Sequence, residues 1–355
     1  MKVAVLGAGL AAGGHLRALR TLAGELDLDV VAVATRDETR AERVRSLFPG
    51  AQRRWPAEAA LDGADLALVL TPPDTHLELV GAAAARGVHV LVEKPLDLTA
   101  DRAGRLVAAT EAAGTGLAVC FQHRAKEAGR GLKEAVASGA LGPLVGGSLE
   151  VAWWRPQSYY DEPGRGSHAR DGGGVLITQA IHTLDLLVWA LGPPRRVVAT
   201  ATRSPVHDLE AEDTVTGLLD FGGGTAVSVF VTTAAFPGAA ERLTLAGGRG
   251  TTVLDGPRLA LHPNDGGPVR TLGTAGPAGI GPDTAEMPAE WHVEILRDAV
   301  TAFRAGGEPL ASGRSALVTQ TVVQALYVSA RNGAWEPVPR PGAARVGALP
   351  DGGAG

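Results

Sequence analysis

Two segments of this sequence carry side chains that could do proton and charge chemistry. The first is Glu93-Lys94-Pro95, which closes the apolar run Val88-His89-Val90-Leu91-Val92. A lysine at the carboxyl end of a buried parallel strand points into the crevice where open α/β sheets hold ligands, and a fixed cation there can orient a substrate hydroxyl. The proline after it keeps the chain extended and blocks a direct run into helix. The second segment follows Gly172-Gly173-Gly174, a stretch that gives a ligand room to approach. From Leu176 to Leu191, Ile177, Ile181, Leu184, Val188 and Leu191 form one apolar helical face, while Thr178, His182, Asp185 and Trp189 share another stripe. His182 suits acid/base work, because an imidazole titrates near ~6.5. Thr178 is expected as a secondary hydrogen-bonding group. Trp154, Arg155, Tyr159, Tyr160 and Arg165 cluster rings and polar groups that suit a polyhydroxylated, sugar-like ligand. Arg124 and Gln179 join Lys94, Thr178 and His182 as further candidate substrate contacts.

Such side chains need a frame, and the first third of the chain supplies one. Val3-Ala4-Val5-Leu6 is an apolar strand, followed by Gly7-Ala8-Gly9-Leu10-Ala11-Ala12 and a helix through His15, Leu16 and Leu19. This is the G-x-G-x-x-A dinucleotide fingerprint: Gly7 for a tight turn, Gly9 for close approach to a pyrophosphate, and the loop around Leu10 and Ala11 opening a helix N-terminus that favours anions. After the second strand, Val30 to Ala34, an NAD enzyme usually places an acid for the ribose hydroxyls. Here Thr35 and Arg36 stand before Asp37, which favours the 2′-phosphate of NADP(H), with NAD(H) as the alternative. Thr71, Pro72 and His76 follow the strand Leu66–Leu70, and Gln122 follows Leu117–Phe121. With Glu93 and Lys94 they complete the candidate cofactor-binding residues. Thr75 and Glu78 have the spacing of a capping box, Gly87 stops that helix, and Thr99 caps the next. Strands alternate with helices throughout, so the expected fold class is α/β with a doubly wound parallel Rossmann sheet over residues 1–122.

After residue 122 the pattern changes. Strands are expected at Ser148–Trp154, Arg196–Arg203, Thr214–Phe221, Ala226–Thr232, Arg242–Leu245 and Thr251–Leu254, some joined by tight glycine turns, with late helices near Trp291–Ala305 and Ala316–Asn332. This reads as a second α/β domain, residues 123–335, with an open, largely antiparallel sheet. Residues 336–355 are rich in Pro, Gly and Ala, without an apolar period, and are expected to be a flexible tail.

The bulk numbers agree with a two-domain enzyme. The 355 residues are 45% hydrophobic and 20% charged, with a net charge of −5. That balance argues against nucleic acid or an anionic membrane as a partner. The single cysteine, Cys120, forms no intramolecular disulfide and suits a reducing cytoplasm. The chain opens on a strand rather than a signal peptide, and no continuous apolar run reaches the ~18 residues of a membrane span. The nine histidines show no paired spacing such as H-E-x-x-H, so no metal is expected, and no G-x-S-x-G elbow supports a hydrolase.

Taken in order, Gly7-Ala8-Gly9, Thr71-Pro72 with His76, Gly87-Val88-His89-Val90 into Glu93-Lys94-Pro95, Gly139-Ala140-Leu141-Gly142, Gly172-Gly173-Gly174, His182 with Asp185, Glu212-Asp213-Thr214 and Ala325 to Ala330 resemble the glucose–fructose oxidoreductase, inositol dehydrogenase and MocA (Gfo/Idh/MocA) family, to about Trp335. The resemblance implies NAD(P)-dependent redox chemistry on sugars, cyclitols or nucleotide-sugar-type substrates. It also implies a homo-oligomer built through the open sheet, and it places Lys94 and His182 on the family's catalytic Lys and His. Many members carry Asp four residues before that His, where this chain has Thr178. The expected reaction interconverts a secondary alcohol and a ketone by hydride transfer, with His182 as acid/base and Lys94 stabilising negative charge. Its rivals are cofactor-retaining chemistry, such as glycoside cleavage through a transient ketone, and a non-catalytic dinucleotide sensor.

Overall fold

A computed structural model describes residues 1–274 and 290–340. The first sheet contains β1 (Lys2–Leu6), β2 (Asp29–Ala34), β3 (Gln52–Arg53), β4 (Leu66–Val69), β5 (His89–Val92) and β6 (Leu117–Val119), interleaved with α1 (Ala12–Leu22), α2 (Glu38–Leu47), α3 (His76–Ala84) and α4 (Ala100–Ala113). Its six strands are all parallel, in the order β3-β2-β1-β4-β5-β6, the doubly wound Rossmann arrangement. Register aligns Leu6 with Ala34 and Val69, and Val92 with Val69 and Val119. The loops after β1, β2, β4, β5 and β6 therefore crowd along one carboxyl edge.

The chain then runs through α5 (Glu127–Ala137), β7 (Leu144–Ala152), two short turns of helix, α6 (Gln157–Tyr160) and α7 (His168–Asp171), a π-helical turn over Leu176–Ala180, and α8 (Ile181–Leu191). A second sheet follows: β8 (Arg196–Thr202), β9 (Thr214–Gly222), β10 (Thr225–Thr232), β11 (Arg242–Gly247), β12 (Gly250–Asp255), β13 (Arg258–Pro263) and β14 (Arg270–Leu272). The last described elements are α9 (Glu290–Arg304), α10 (Gly313–Asn332) and β15 (Glu336–Pro337). The nine-stranded order is β14-β13-β12-β11-β7-β10-β9-β8-β15, antiparallel except where β10 runs parallel to β7. Strands β13 and β14 were not anticipated. Their alternation is interrupted by His262 and Pro263, and the Gly256 turn before them is the signal that was present.

Four expectations need correction. Residues 290–304 do not belong with the second sheet: α9 returns to the first domain, where Val293, Leu296, Ala299, Val300 and Phe303 share a core with Val3, Val5, Leu16 and Leu19. Its apolar stripe reads equally well against either domain, so periodicity could not assign it. The tail begins later than residue 336, because Glu336 and Pro337 pair with β8 and the buried Val338 donates its N–H to the Arg195 carbonyl; residues 341–355 lie outside the described residues. Thr75 does not form a capping box. A 3₁₀ turn over Pro73–Thr75 directs its hydroxyl to Thr71 Oγ1 and the Pro72 carbonyl, and Glu78 pairs with Arg102 instead. Finally, the helical stretch His168–Leu191 does have the length and hydropathy of a membrane span. However, 83% of its apolar window is buried inside the fold, so that apolarity serves the core.

Candidate active site

At the β1 end, Gly7 adopts φ +94°, and a Cβ there would lie 2.9 Å from the Leu70 carbonyl and the Thr71 nitrogen. Glycine is required by that packing. Gly9 differs: a Cβ would meet nothing within 4 Å except Arg40 Nη1 at 3.8 Å. The protein's own packing does not demand glycine there, which leaves space above the loop. Ala11 provides no side-chain cap to α1 and no acid stands in the first turn; the Ala12 N–H donates to the Gly9 carbonyl, and the helix end opens beside the exposed Leu10 and Ala11. An anion fits that helix end, and the donor set suits a dinucleotide pyrophosphate.

Arg40 reaches the loop at Gly9, and other basic side chains gather after β2. Arg36 is exposed and lies 5.4 Å over the Trp55 ring. Arg53 donates to the Thr35 and Arg36 carbonyls, and the Thr35 hydroxyl accepts from the Asp37 N–H. Asp37 caps α2 by accepting from the Arg40 N–H and pairs with the Arg40 guanidinium at 3.3 Å. Arg40 and Trp55 belong to this rim and were missed. The spacing of Arg40 from Arg36 on α2 was the available signal. His76 is fully buried between the Leu96 and Thr71 carbonyls. It therefore positions the turn carrying Thr71 and Pro72 and is corrected from cofactor contact to support.

Glu93 is held by His15 Nε2 at 2.7 Å and accepts from the Lys94 N–H. Burial alone would raise its pKa, but the His15 hydrogen bond and the charges of His15 and Lys94 pull it down to about 2. Burial, and then the adjacent Glu93, push the Cys120 thiol well up. Lys94 Nζ crosses to the second domain and donates to the Thr178 carbonyl at 2.8 Å.

Thr178 lies in the π turn Leu176–Ala180, a wide turn that recurs at functional sites. The Thr178 hydroxyl turns back to the Gly174 carbonyl at 2.6 Å and to Gln179 Oε1. Its main chain, rather than its side chain, meets Lys94, which corrects the role expected for it. The π turn also breaks the simple helical stripe. His182 and Asp185 are buried, whereas Thr178 is partly exposed. The glycine triplet is corrected too. A Cβ on Gly172 would lie 2.9 Å from the Leu98 carbonyl oxygen, on Gly173 2.3 Å from the Tyr327 hydroxyl, and on Gly174 1.7 Å from the Glu212 carbonyl oxygen. Close packing, not ligand approach, requires them. Glu212 anchors the turn by accepting from the Gly174 and Leu176 N–H groups and the Tyr327 hydroxyl.

The His182 ring stacks on His123 with centroids 4.9 Å apart, and its Nδ1 has no partner. Burial first, then the charge of Lys94, hold its pKa well below 6.5; the ring is neutral at pH 7. His123 was overlooked between Gln122 and Arg124. A 3₁₀ turn over Gln122–Ala125 presents His123 to the imidazole. Arg124 is 1% exposed, binds Asp185 through Nε and Nη2 at 2.7 and 2.6 Å, and donates from Nη1 to Leu310 O and Ser315. It is corrected from substrate contact to buried strut. Lys126, also missed, lies 3.6 Å over the Trp291 ring and 4.0 Å from Glu241, its pKa lowered by burial to about 8.

In the aromatic segment, Gln179 donates to the Tyr159 hydroxyl at 3.1 Å, and Arg165 lies 4.4 Å over the Tyr159 ring. Trp154 packs edge-on against Phe236. Tyr160 is buried with its hydroxyl on Thr233 at 2.6 Å, and Arg155 is buried between the Trp153 and Tyr159 rings. Tyr159, Arg165 and Trp154 are partly exposed, whereas Tyr160 is corrected to a supporting residue.

Residues 1–121 match the profile of the oxidoreductase family with an NAD-binding Rossmann fold, and residues 130–253 match the GFO/IDH/MocA C-terminal domain. The chain is similar to D-apiose dehydrogenase of Paraburkholderia graminis, 31% identical over 349 residues, covering 94% of this chain and 88% of that protein. It is similar over a shorter span, 30% identical across 57% of this chain and 61% of the relative, to D-xylose 1-dehydrogenase (NADP(+)) 2 of Haloferax volcanii. Among solved structures it resembles the WlbA dehydrogenase from Bordetella pertussis in complex with NADH and UDP-GlcNAcA, with a TM-score of 0.81 and 27% identity over 96% of this chain and 98% of that one.

Proposed function

This chain belongs to the Gfo/Idh/MocA family of oxidoreductases, and from that membership we propose how its own residues divide the work. It is an NAD(P)-dependent oxidoreductase of a sugar-like small molecule. One observation carries the assignment of the site: the Lys94 ammonium of the nucleotide-binding domain reaches the π turn that feeds His182. Lys94 has three N–H donors and gives one to Thr178, so two remain for a substrate oxygen. Neutral His182 takes the hydroxyl proton in the oxidative direction and returns it in the reductive one. Lys94 steadies the negative charge that develops on the oxygen. A nicotinamide ring, when bound, accepts or supplies the hydride. Trp154, Tyr159 and Arg165 bind the sugar rim, with Gln179 fixing the Tyr159 hydroxyl.

The preferred cofactor is NADP(H). Arg40 lies beside Gly9, the exposed Arg36 follows β2, and Asp37, the acid after β2, is paired with Arg40 and caps α2. The molecule is also proposed to form a homo-oligomer through the outward face of the second sheet, where Leu218 and Phe230 are each 41% exposed; light scattering tests this.

The deciding experiment measures nicotinamide absorbance with a panel of aldoses, cyclitols and nucleotide sugars, with NADP⁺ and NAD⁺ in parallel. Turnover on at least one sugar is expected. Cofactor binding without turnover across the panel would favour a sensor, and substrate conversion without net nicotinamide change would favour cofactor-retaining chemistry. In the same assay Arg36→Ala should weaken NADP(H) binding about 10- to 100-fold, the worth of one charge-assisted contact of roughly 1.5–3 kcal/mol, and NAD(H) much less. Equal losses for both cofactors would remove Arg36 from the 2′-phosphate.

A further inference from the structure

Beside the crevice lies a largely buried cluster that takes no part in the proton transfer assigned to Lys94 and His182. His15 from the first turn of α1, Glu93 after β5, Cys120 after β6 and His292 from α9 meet there, and one donor atom from each lies within 4.8 Å of the others. His15 and Cys120 are 0% exposed and His292 6%. The two imidazoles meet edge-on with centroids 4.8 Å apart, and His15 Nδ1 and His292 Nδ1 are buried without a hydrogen-bond partner. Gly14 makes the approach of α9 sterically feasible, since a Cβ there would lie 2.8 Å from Cε1 and Nδ1 of His292. A glycine inside a helix is otherwise unfavourable; here it admits a ring.

We propose that His15, Glu93, Cys120 and His292 form a binding site for a zinc-class divalent metal that clips α9 to the nucleotide-binding sheet. Two imidazoles, a thiolate and a carboxylate make a four-ligand N/S/O set of the kind zinc takes tetrahedrally. The thiolate and carboxylate balance the dication in a site where only the Glu93 side chain, 12% exposed, reaches the surface. Zinc–nitrogen bonds of ~2.0–2.1 Å and a zinc–sulfur bond of ~2.3 Å require ligand-to-ligand edges of roughly 3.4–3.7 Å. The widest edges must close, and the 2.7 Å His15–Glu93 contact must open. Thiolate and imidazole select against magnesium and calcium. Binding releases the Cys120 thiol proton, while a ligating His15 is a neutral imidazole that keeps one ring proton on the nitrogen not facing the ion. Four protein ligands leave no open position, so the ion is structural, and neither Lys94 nor His182 is a ligand. The earlier expectation of no metal rested on local spacing, and these ligands stand at positions 15, 93, 120 and 292.

The test is Co²⁺ titration of the full-length protein after dialysis against a chelator, with cofactor binding measured in each sample as a check of the fold. We expect saturation at one equivalent per chain, tetrahedral d–d absorption, a thiolate charge-transfer band and displacement by Zn²⁺. Cys120→Ser should abolish the charge-transfer band. His292→Gln should weaken binding at least ~10-fold, the lower end of what even outer-shell losses cost. No saturable binding by the wild-type protein would overturn the site, as would a charge-transfer band that survives in Cys120→Ser.

Discussion

At the scale of single residues, the proposed chemistry rests on Lys94 and His182, which different domains supply. Lys94→Ala and His182→Ala should each lower kcat by at least ~10²-fold while cofactor binding persists, because losing a positioned acid–base group has that effect. Thr178→Val serves as the contrast. Lys94 uses the Thr178 main-chain carbonyl, which any side chain retains, and the hydroxyl is turned toward Gly174. Its loss of turnover should fall well short of ~10²-fold. Steady-state kinetics with fluorescence titration of the cofactor separates these outcomes. A Thr178→Val defect as large as that of His182→Ala would return the hydroxyl to the chemistry.

The His182 environment also sets the pH response. Burial, followed by the charge of Lys94, lowers its pKa well below 6.5. A base with a lowered pKa stays unprotonated until the solution falls through that lower value. Oxidative kcat/KM, which reports the free enzyme, should therefore show no loss attributable to His182 between pH 8 and the ordinary histidine pKa of about 6.5. Its acid limb should lie below that pH. A His182-dependent limb centred at or above that value in a pH–rate profile would mean that the ring is solvated or paired in the working enzyme.

At the scale of elements, the π turn and α8 are held from behind. Asp185 of α8 accepts from Arg124 and from the Thr319 hydroxyl of α10, while Arg124 also reaches Leu310 and Ser315. Breaking such a buried pair leaves an uncompensated charge, so Arg124→Met should cost about 3–5 kcal/mol of unfolding free energy. The double variant Arg124→Met/Asp185→Leu should recover most of that loss, because no charge is then stranded. Urea unfolding of the two single variants and the double variant measures the coupling. Additive losses would show that the pair is not a unit. The same elements explain why Gly172-Gly173-Gly174 is needed: Glu212, Leu98 and Tyr327 occupy the space that side chains would take.

At the scale of the whole molecule, the domains are not consecutive pieces of chain. Helix α9 closes one face of the first sheet with Leu296, Val300 and Phe303, while the Ala311 carbonyl accepts from Val119 N–H at the β6 edge. A fragment spanning residues 1–126 should therefore lack a cooperative thermal transition, since it leaves that face exposed. In the intact protein, Leu296→Ala should cost about 2–5 kcal/mol, as for other large-to-small core changes. Calorimetry of the fragment and the variant checks both. A fragment that melts cooperatively near the intact protein's temperature would make α9 dispensable.

The sequence by itself determined the features that arise from short-range rules. Apolar runs of four to six residues between turns marked β1, β2, β4 and β5, and the glycine fingerprint marked the nucleotide loop, because each depends on neighbours in the chain. Lys94 was legible for the same reason, as a cation placed directly after a buried strand. The tertiary structure alone decided which polar side chains face the crevice. His182 and Arg124 are similarly conspicuous in sequence, yet one keeps an unpartnered ring nitrogen and the other is buried against Asp185. The π turn shifted the helical phase after Thr178, the 3₁₀ turn exchanged His123 for Arg124, and α9 brought His292 to His15. These outcomes come from the packing of segments far apart in the chain, where burial and steric fit select among faces that local periodicity leaves equivalent.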